Sequence, residues 1–376
     1  MLSNDYVKDI IQKDRKTFFS DYKASQSNNI SDLSDDYNSK SSRPLIADFT
    51  EYNPLHNGHF HCMKVAKEKV PDGLFVAIVP GLFERSGRGL PYILHRRSRA
   101  EIAVNVGADI VIEGPPMGIM GSGQYSLCLC KIFQALNTDF IPRGYNPFES
   151  FDDILNRIRL GHGIAPKPYK IIDMDTNEVI MKDKLEEDNY VIVSFSKSLK
   201  KLGFDFKDKF IFVRRIEGVS GTLIRKAVEE NNFSNVQDMM PEETISVLKR
   251  EVELNHGPLH MIRDEESILN NVNNLSFDQL SSLNLFDDKL ASKLIETREV
   301  KPFESIEELS ESISYGFSTN YKNRVLSILE ANISKDIIFN YIEKYPYTIR
   351  ILDYKNEDAL NEFKTRITNR RLILCQ

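Results

Sequence analysis

Short apolar runs alternate with stretches of helical periodicity in the first third of the chain, and this alternation restricts the fold more than any other sequence feature. The apolar runs are residues 45–49, 74–79 and 110–112, and the helical patterns between them are residues 59–69 and 96–106. An order of strand, helix, strand, helix and strand predicts a parallel sheet with right-handed crossovers. The predicted fold class is therefore α/β.

The sheet is expected to continue beyond a helical stretch at residues 125–136. Apolar runs at residues 190–193 and 210–213 predict two further strands. Between the helix and these strands, residues 148–187 are polar and rich in Lys and Asp. We interpret them as an insertion that covers one edge of the functional site.

From Pro241 onward the pattern becomes helical. Leu, Ile and Phe recur at helical spacing, and Ser305 followed by Glu308 has the arrangement of a capping box. Two short strand-like runs, residues 348–352 and 371–374, flank a helix at the end of the chain. These features predict a helical second domain with a small α/β end.

The N-terminal region is expected to be a helix over residues 1–23, followed by a flexible linker rich in Ser, Asn and Asp up to residue 42. The predicted units are residues 1–42 as helix and linker, 43–240 as the sheet domain, and 241–376 as the helical domain.

Bulk properties exclude some classes of protein. No stretch approaches the roughly 20 apolar residues of a membrane span, and a charged N-terminus does not resemble a signal peptide, so we expect a cytoplasmic protein. Four scattered cysteines predict reduced thiols in the core. A net charge of -6 neither supports nor excludes RNA as a partner.

The first motif that carries chemistry is E-Y-N-P-L-H-N-G-H at residues 51–59, which leads from the first strand into a helix. A helix that begins there points its N-terminal amides at the strand end, which suits a phosphate group. Gly58 lets the backbone approach the phosphates, and His56 and His59 present two imidazoles on one side. The alternatives are a chance H-x-x-H pair on a helix, or a zinc pair with His61 as third ligand.

The second motif is G-V-S-G-T-L-I-R-K at residues 218–226, after the apolar run that ends at residue 213. Ser220 and Thr222 supply hydroxyls, and Arg225 can reach a phosphate with a planar fork of donors. Alone, this segment could be an ordinary serine-capped helix start. Together with the first motif it predicts a phosphate clamp.

The two motifs resemble those of the H-x-G-H nucleotidyltransferase superfamily, whose late motif has the form I-S-x-T-x-I-R. The lead-in E-Y-N-P is similar to that of the tRNA(Met) cytidine acetate ligase family, whereas most of the superfamily carries a G-x-F-D-P lead-in. Further similarity lies at residues 96–103, 108–113 and 346–352, so the resemblance spans residues 44–376. It implies a Rossmann-like parallel sheet domain with a helical C-terminal domain.

The resemblance also implies an activity. Members of that family activate acetate with ATP as acetyl-adenylate, release pyrophosphate, and acetylate the wobble cytidine of elongator tRNA(Met). It implies ATP as cofactor with Mg²⁺, acetate or another small carboxylate as co-substrate, and tRNA as partner. No protein metal ligand is assigned.

The residues implied in these roles fall into two groups. The predicted catalytic residues, which stabilise charge on the phosphates, are His56, His59 and Arg225. The predicted ATP-binding residues are Glu51, Tyr52, Asn53, Asn57, Gly58, Gly144, Asn189, Arg215, Ser220 and Thr222. Gly144 could instead be a turn glycine, Asn189 a strand-edge residue, and Arg214 could take the role of Arg215.

Several features depart from the family pattern. Residues 1–42 precede its usual start, residues 81–89 match a family loop only loosely, and Y-G-F-S-T at residues 315–319 stands where a basic stretch is expected. Residues 283–329 are similar to helix-hairpin-helix repeats, although two acids at the turn favour a packing helix pair. The best candidate for a basic patch is Lys364, Arg366, Arg370 and Arg371, with a solvated face as the alternative.

Two other functions therefore stay open. One is an adenylyltransferase that forms a dinucleotide or coenzyme product. The other is a nucleotide-sensing or nucleic-acid-binding module that holds ATP without turnover.

Overall fold

The computed structural model describes residues 4–27, 43–259, 262–313 and 318–375. Its strands are β1 (Leu45–Phe49), β2 (Leu74–Pro80), β3 (Ile110–Gly114), β4 (Ile141–Tyr145), β5 (Ile164–Lys167), β6 (Lys170–Asp173), β7 (Val179–Met181), β8 (Phe210–Arg214), β9 (Thr348–Tyr354) and β10 (Arg371–Leu374).

The helices of the first two thirds of the chain are α1 (Asn4–Ser27), α2 (Asn57–Lys69), α3 (Arg96–Asn105), α4 (Ser122–Ala135), α5 (Phe151–Arg159), α6 (Glu187–Lys201), α7 (Gly221–Glu229) and α8 (Glu242–Glu253). Those of the remainder are α9 (Glu265–Asn274), α10 (Phe277–Ser282), α11 (Asp288–Val300), α12 (Ile306–Ile313), α13 (Thr319–Ala331), α14 (Lys335–Lys344) and α15 (Glu357–Arg366).

The central sheet is mainly parallel, as the alternation of elements predicts. Strands β1, β2 and β3 pair in parallel, and β4 pairs in parallel with β8. The two groups meet where β1 runs beside the start of β4, because the amide of Ala47 donates to the carbonyl of Phe140 at 2.9 Å. The strand order is therefore β8-β4-β1-β2-β3, followed by β9 and β10.

This order creates a crevice between β1 and β4. From β1 the chain crosses to β2 on one side, and it returns only later to β4 on the other side. In open parallel sheets a ligand binds outside the carboxyl ends of the strands at such a switch point. The strand order alone therefore indicates a ligand-binding site at the carboxyl end of β1.

Both faces of β1 to β3 are covered, which explains their almost purely apolar sequences. Alternate side chains enter two hydrophobic clusters: Ile46 and Phe75 pack in one, and Leu45 and Val76 in the other. The sheet is therefore the middle layer of the domain.

One predicted strand is wrong. Residues 190–193 read Y-V-I-V and resemble a buried strand, but they lie inside α6. The buried side chains Ile192, Val193, Phe195 and Leu199 form one helical face that packs on α4 and β5. A short apolar run does not distinguish a strand from a buried helix, and here tertiary packing decides.

The polar segment 148–187 has its own structure. It contains α5 and an antiparallel sheet of β5, β6 and β7. Buried Asp173 joins its parts, since its carboxylate accepts from Arg157 at 2.9 Å and lies 2.7 Å from Nδ1 of His162. The end of the segment lies at the rim of the cavity described below.

The end of the chain returns to the first sheet. β9 pairs antiparallel with β3, and β10 pairs in parallel with β9. The two strands and the helix between them are present as predicted, but they extend the central sheet. The division into units at residues 42 and 240 stays a prediction.

The N-terminal helix α1 is docked on the same core. Its predicted apolar side contributes Ile10, Ile11 and Phe18 to the main cluster. Asp14 on the buried side accepts from the amide of Phe83 at 2.7 Å and pairs with Arg96 at 2.5 Å. The predicted linker is wrong at its start, because residues 24–27 continue α1, and residues 28–42 lie outside the described part of the chain.

Other sequence predictions have mixed outcomes. The Ser305 hydroxyl accepts from the amide of Glu308 at 3.2 Å, as expected of a capping box. Asp287 caps α11, which agrees with a packing helix pair. Arg366 is buried and pairs with Asp139, so the proposed basic patch loses one of its members. Residues 315–317 lie outside the described residues.

The cysteines lie mainly in the core, as expected. Cys62, Cys128 and Cys130 are free and buried, and Cys375 is free and partly buried. Among the described residues, no helix combines the length and apolarity needed to cross a bilayer.

Candidate active site

A cavity of about 760 Å³ opens at the carboxyl ends of β1, β4 and β8, at the switch point of the sheet. The N-termini of α2 and α7 face it, because residues from both helix starts line its wall. Helix N-termini present free amides and a positive dipole end, which favour a phosphate ligand.

The histidines of the first motif stand at the start of α2. The rings of His56 and His59 stack with their centroids 3.7 Å apart. The main-chain amide of His56 donates to Nδ1 of His59 at 3.3 Å. A neutral His59 that accepts at Nδ1 carries its proton on Nε2, so Nε2 is the donor available to a ligand.

Both imidazoles are held neutral. Burial lowers the pKa of His56 to about 4, with Arg215 and Arg225 adding to the shift. Burial and the adjacent His56 hold the pKa of His59 well below its usual value. At neutral pH the pair can therefore donate hydrogen bonds to a phosphate but supplies no full positive charge.

The second motif stands directly opposite. Ser220 caps α7, and its hydroxyl accepts from the amide of Leu223 at 3.3 Å. A Cβ atom added at Gly221 would lie 3.4 Å from Nε2 of His56 and 3.2 Å from Nη1 of Arg225. The glycine thus keeps open the gap in which the two halves of the clamp meet.

Arg225 is oriented by both motifs. Its Nη1 donates to the carbonyl of Asn53 at 3.3 Å, and its Nη2 donates to the hydroxyl of Thr222 at 3.0 Å. These contacts bring the guanidinium to the same cavity as His56.

The lead-in residues build the turn between β1 and α2. The carboxylate of Glu51 accepts from the amide of Gly87 at 2.8 Å, and Asn53 Oδ1 accepts from the amide of Ile93 at 2.7 Å. Tyr52 is buried and adopts a φ of 45°, a left-handed conformation that is unusual for a bulky side chain. All three residues line the cavity, and Gly58 lines it as well.

Two predicted site residues do not line it. Asn57 points away, since its Nδ2 donates to the carbonyl of Asp238 at 2.8 Å. Asn189 is fully buried in the first turn of α6, where it exchanges two hydrogen bonds with the main chain of Asn146, at 2.9 and 2.8 Å. Asn146 itself lines the cavity, so Asn189 lies directly behind a residue of the cavity wall.

The remaining predicted residues lie at the rim. Gly144 lies in the half-buried second half of β4 and lines the cavity, and a Cβ atom built there would meet nothing within 4 Å. Arg215 and Arg214 both line the cavity, and Arg215 pairs with Asp188 at 2.9 Å. Both arginines therefore stand at the cavity wall, with Arg215 already engaged by an acidic partner.

The helical domain also reaches the site. Arg324 on α13 lines the cavity and donates from Nε to the carbonyl of Gly87 at 2.7 Å. Gly89 makes this approach possible, because its φ is 76° and an added Cβ atom would lie 2.4 Å from the main chain of Arg324. Arg88, between these glycines, pairs with Glu187 across the cavity mouth.

A charged pair that belongs to neither sequence motif lies on the cavity floor. Arg143 on β4 lies 3.7 Å from Asp48 on β1, and both residues line the cavity. Burial raises the pKa of Asp48 to about 7, although Arg143 opposes the shift. Charged residues inside otherwise apolar strands were the available signal for these positions.

The geometry does not favour a zinc site at the histidine motif. In the portion of the chain that the structure describes, His162, Asp173 and Asp175 form the group of potential ligands close enough to share a metal ion. None of these three residues lines the cavity, and Arg157 and Lys200 already pair with the two carboxylates.

Comparisons with known proteins identify the family of the chain. Residues 45–141 match the model of the HIGH nucleotidyl transferases, and residues 146–353 match the model of a cytidyltransferase-related C-terminal region. An uncharacterized protein of Methanocaldococcus jannaschii is 45% identical over 83% of this chain and 85% of its own length. The tRNA(Met) cytidine acetate ligase of Thermotoga maritima is 24% identical over 81% of this chain and 80% of its own.

The fold has a solved counterpart. The crystal structure of Thermotoga maritima TmcAL bound with alpha-thio ATP superposes with a TM-score of 0.70 at 19% identity, and the match covers 88% of this chain and 85% of that one. The chain therefore belongs to the HIGH nucleotidyltransferases with a cytidyltransferase-related C-terminal region, the family of the tRNA(Met) cytidine acetate ligases.

Proposed function

We propose that the protein uses ATP to activate a small carboxylate, with acetate as the first candidate, and transfers the acyl group to the wobble cytidine of elongator tRNA(Met). The observation that carries this proposal is the convergence of two helix N-termini, with His56, Ser220 and Arg225, on one cavity at the switch point. The names of relatives support the RNA and acyl parts, and the ATP analogue of the solved relative supports the nucleotide.

The chemistry needs no protein nucleophile. A carboxylate is ionised at neutral pH and can attack the α-phosphorus directly, so that pyrophosphate leaves. The amides at the starts of α2 and α7, Nε2 of His59 and the guanidinium of Arg225 would donate hydrogen bonds to the charge that develops on the phosphates. Catalysis then consists of positioning and charge stabilisation.

Glu51, Tyr52, Asn53 and Gly58 are proposed to shape the turn under the nucleotide, with Gly144 and Arg215 at its rim. Mg²⁺ bound to the phosphates would neutralise part of their charge. Asn57 and Asn189 are proposed to act indirectly, through the chain segments that they hold.

Exchange of labelled pyrophosphate into ATP tests the activation step. We expect exchange that depends on acetate or a related small carboxylate. Acetylated cytidine in elongator tRNA(Met) after incubation with ATP and acetate, measured by nucleoside analysis, tests the second step. The proposal fails if no small carboxylate supports exchange.

One observation favours a second candidate. Arg88, Arg214 and Arg324 also line the cavity, and the first of them is paired with Glu187. They would suit a phosphorylated co-substrate, and hence an adenylyltransferase that makes a dinucleotide or coenzyme. Exchange that requires a mononucleotide or phosphopantetheine in place of acetate would select this candidate.

A further inference from the structure

Arg143 is held rigidly at the floor of the cavity. Its Nη1 donates to the carbonyl of Phe49 at 2.6 Å and lies 3.7 Å from the carboxylate of Asp48. The guanidinium carbon lies 5.3 Å from the ring centroid of Phe195 and 6.0 Å from that of Phe49. One edge of the guanidinium is therefore fixed by the protein.

The other edge is unused. Within the described ranges of the chain, Nε of Arg143 is shielded and has no hydrogen-bond partner, and Nη2 makes no hydrogen bond. The side chain keeps 12% of its surface exposed, and the residue lines the cavity. The Nε and Nη2 groups of arginine form a fork that matches the two oxygens of a carboxylate.

A second donor stands nearby without a partner. Tyr52 is 1% exposed and lines the same cavity, and its hydroxyl makes no hydrogen bond among the residues that the structure describes. Buried donors without a partner are rare because leaving them unsatisfied is costly, so two at one place indicate a ligand that satisfies both.

We infer that the floor of the cavity is the binding site of the carboxylate co-substrate, with the Nε–Nη2 edge of Arg143 and the hydroxyl of Tyr52 as its donors. This inference rests on the proposed function for the identity of the reaction. It assigns the acid to a place distinct from the phosphate clamp, although the two adjoin, since Tyr52 and His59 have ring centroids 5.4 Å apart.

The bound acid would react without leaving this place. One carboxylate oxygen stays on the arginine edge while the other attacks the α-phosphorus of ATP. A new P–O bond forms, the bond from the α-phosphorus to the bridging oxygen breaks, and pyrophosphate leaves with that electron pair. No proton has to be removed from the acid.

Asp48 tunes the charge at this floor. Its carboxyl lies close to Arg143 and Thr50. Its charge also raises the pKa of the Tyr52 hydroxyl and of the Cys62 thiol. Burial raises its pKa to about 7, so below that pH the guanidinium is not neutralised by its neighbour. An incoming carboxylate then supplies the missing negative charge.

Saturation-transfer NMR of acetate, with a non-hydrolysable ATP analogue present, tests the assignment. We expect acetate to bind the wild-type protein. Arg143→Gln and Arg143→Lys both remove the fork and should raise the Kd for acetate about tenfold or more. A hydrogen bond to a charged group contributes about 1.5–3 kcal/mol, which corresponds to a factor of this size. Tyr52→Phe should weaken acetate binding severalfold, and both arginine variants should bind the analogue as the wild type does.

Lys64→Gln is the matched control, since Lys64 is exposed on α2 and does not line the cavity. It should leave acetate binding unchanged. Unchanged acetate affinity in the arginine variants, or no binding of acetate or propionate to the wild type, overturns the assignment. If Arg143→Gln does not fold, the charge-conserving lysine variant decides.

The same variants separate this inference from the proposed function. If acetate binding depends on Arg143 but no carboxylate supports exchange, the proposed reaction is refuted and the assigned carboxylate site stands. If exchange depends on a carboxylate but the KM for acetate is unchanged in Arg143→Gln, the proposed reaction stands and the assigned carboxylate site is refuted.

Discussion

The two nitrogens of the His59 ring have separable roles, and this gives the sharpest test of the clamp. Nδ1 accepts from the main-chain amide of His56 at 3.3 Å, a bond at the start of α2. Nε2 is then the protonated nitrogen that can face the phosphates. Its pKa lies well below the usual histidine value, so this neutral form holds at neutral pH.

Substitutions can keep one role and remove the other. An Asn side chain at position 59 places its oxygen near Nδ1, and a Gln side chain places its amide nitrogen near Nε2. Loss of the Nδ1 contact should lower the free energy of unfolding by about 1 kcal/mol. Loss of a donor to transition-state charge should lower kcat about 100- to 1000-fold, which corresponds to roughly 3–4 kcal/mol.

We therefore expect His59→Asn to stay stable and lose kcat, and His59→Gln to lose some stability and keep more of its kcat. His59→Ala should lose both. The assays are pyrophosphate exchange for kcat and chemical denaturation for stability, with Lys64→Ala on the exposed face of α2 as control. A His59→Asn variant with wild-type kcat would refute the assignment of Nε2 as the donor.

Three further outcomes follow from the contacts around the cavity. Asn57→Ala should change the Kd for ATP by less than about twofold and lower the unfolding free energy by about 0.5–1 kcal/mol, because the Asn57 side chain bonds a main-chain carbonyl outside the cavity. A large rise in the Kd would show that Asn57 is an ATP ligand after all. Asn189→Ala should lower the unfolding free energy by about 2 kcal/mol and also weaken ATP binding, because it leaves the main chain of Asn146 unpaired. Thermal melts measure the stability, and ATP titrations measure the affinity. The affinity for acetate should fall as pH rises through about 7, because Asp48 ionises there and neutralises Arg143. Asp48→Asn should remove this pH dependence. A pH-independent KM for acetate in the wild type would contradict the prediction.

The same raised pKa has a consequence for stability. A carboxyl that stays protonated in the folded state up to about pH 7 ionises much earlier in the unfolded chain, from its ordinary value of 3.8 upward. The unfolded state therefore binds fewer protons between these values, and this group makes the protein less stable as pH rises through that window.

Local signals sufficed for much of the fold. Strands β1, β2, β3 and β8 follow from apolar runs, since strands covered on both faces must be apolar throughout. The helices that start after β1 and β8 follow from motifs with helix-start chemistry. Such features lie within a few residues of one another, which is why a sequence reveals them.

The sequence by itself determined the two halves of the clamp, because each half is one strand end followed by one helix start. Only the tertiary structure decided what lies between them. It turned residues 190–193 into a helix, directed Asn57 away from the cavity, and placed the last two strands in the first sheet. It also joined Asp48 to Arg143 across 95 residues of chain, and such a pairing depends on strand order, which no local pattern encodes.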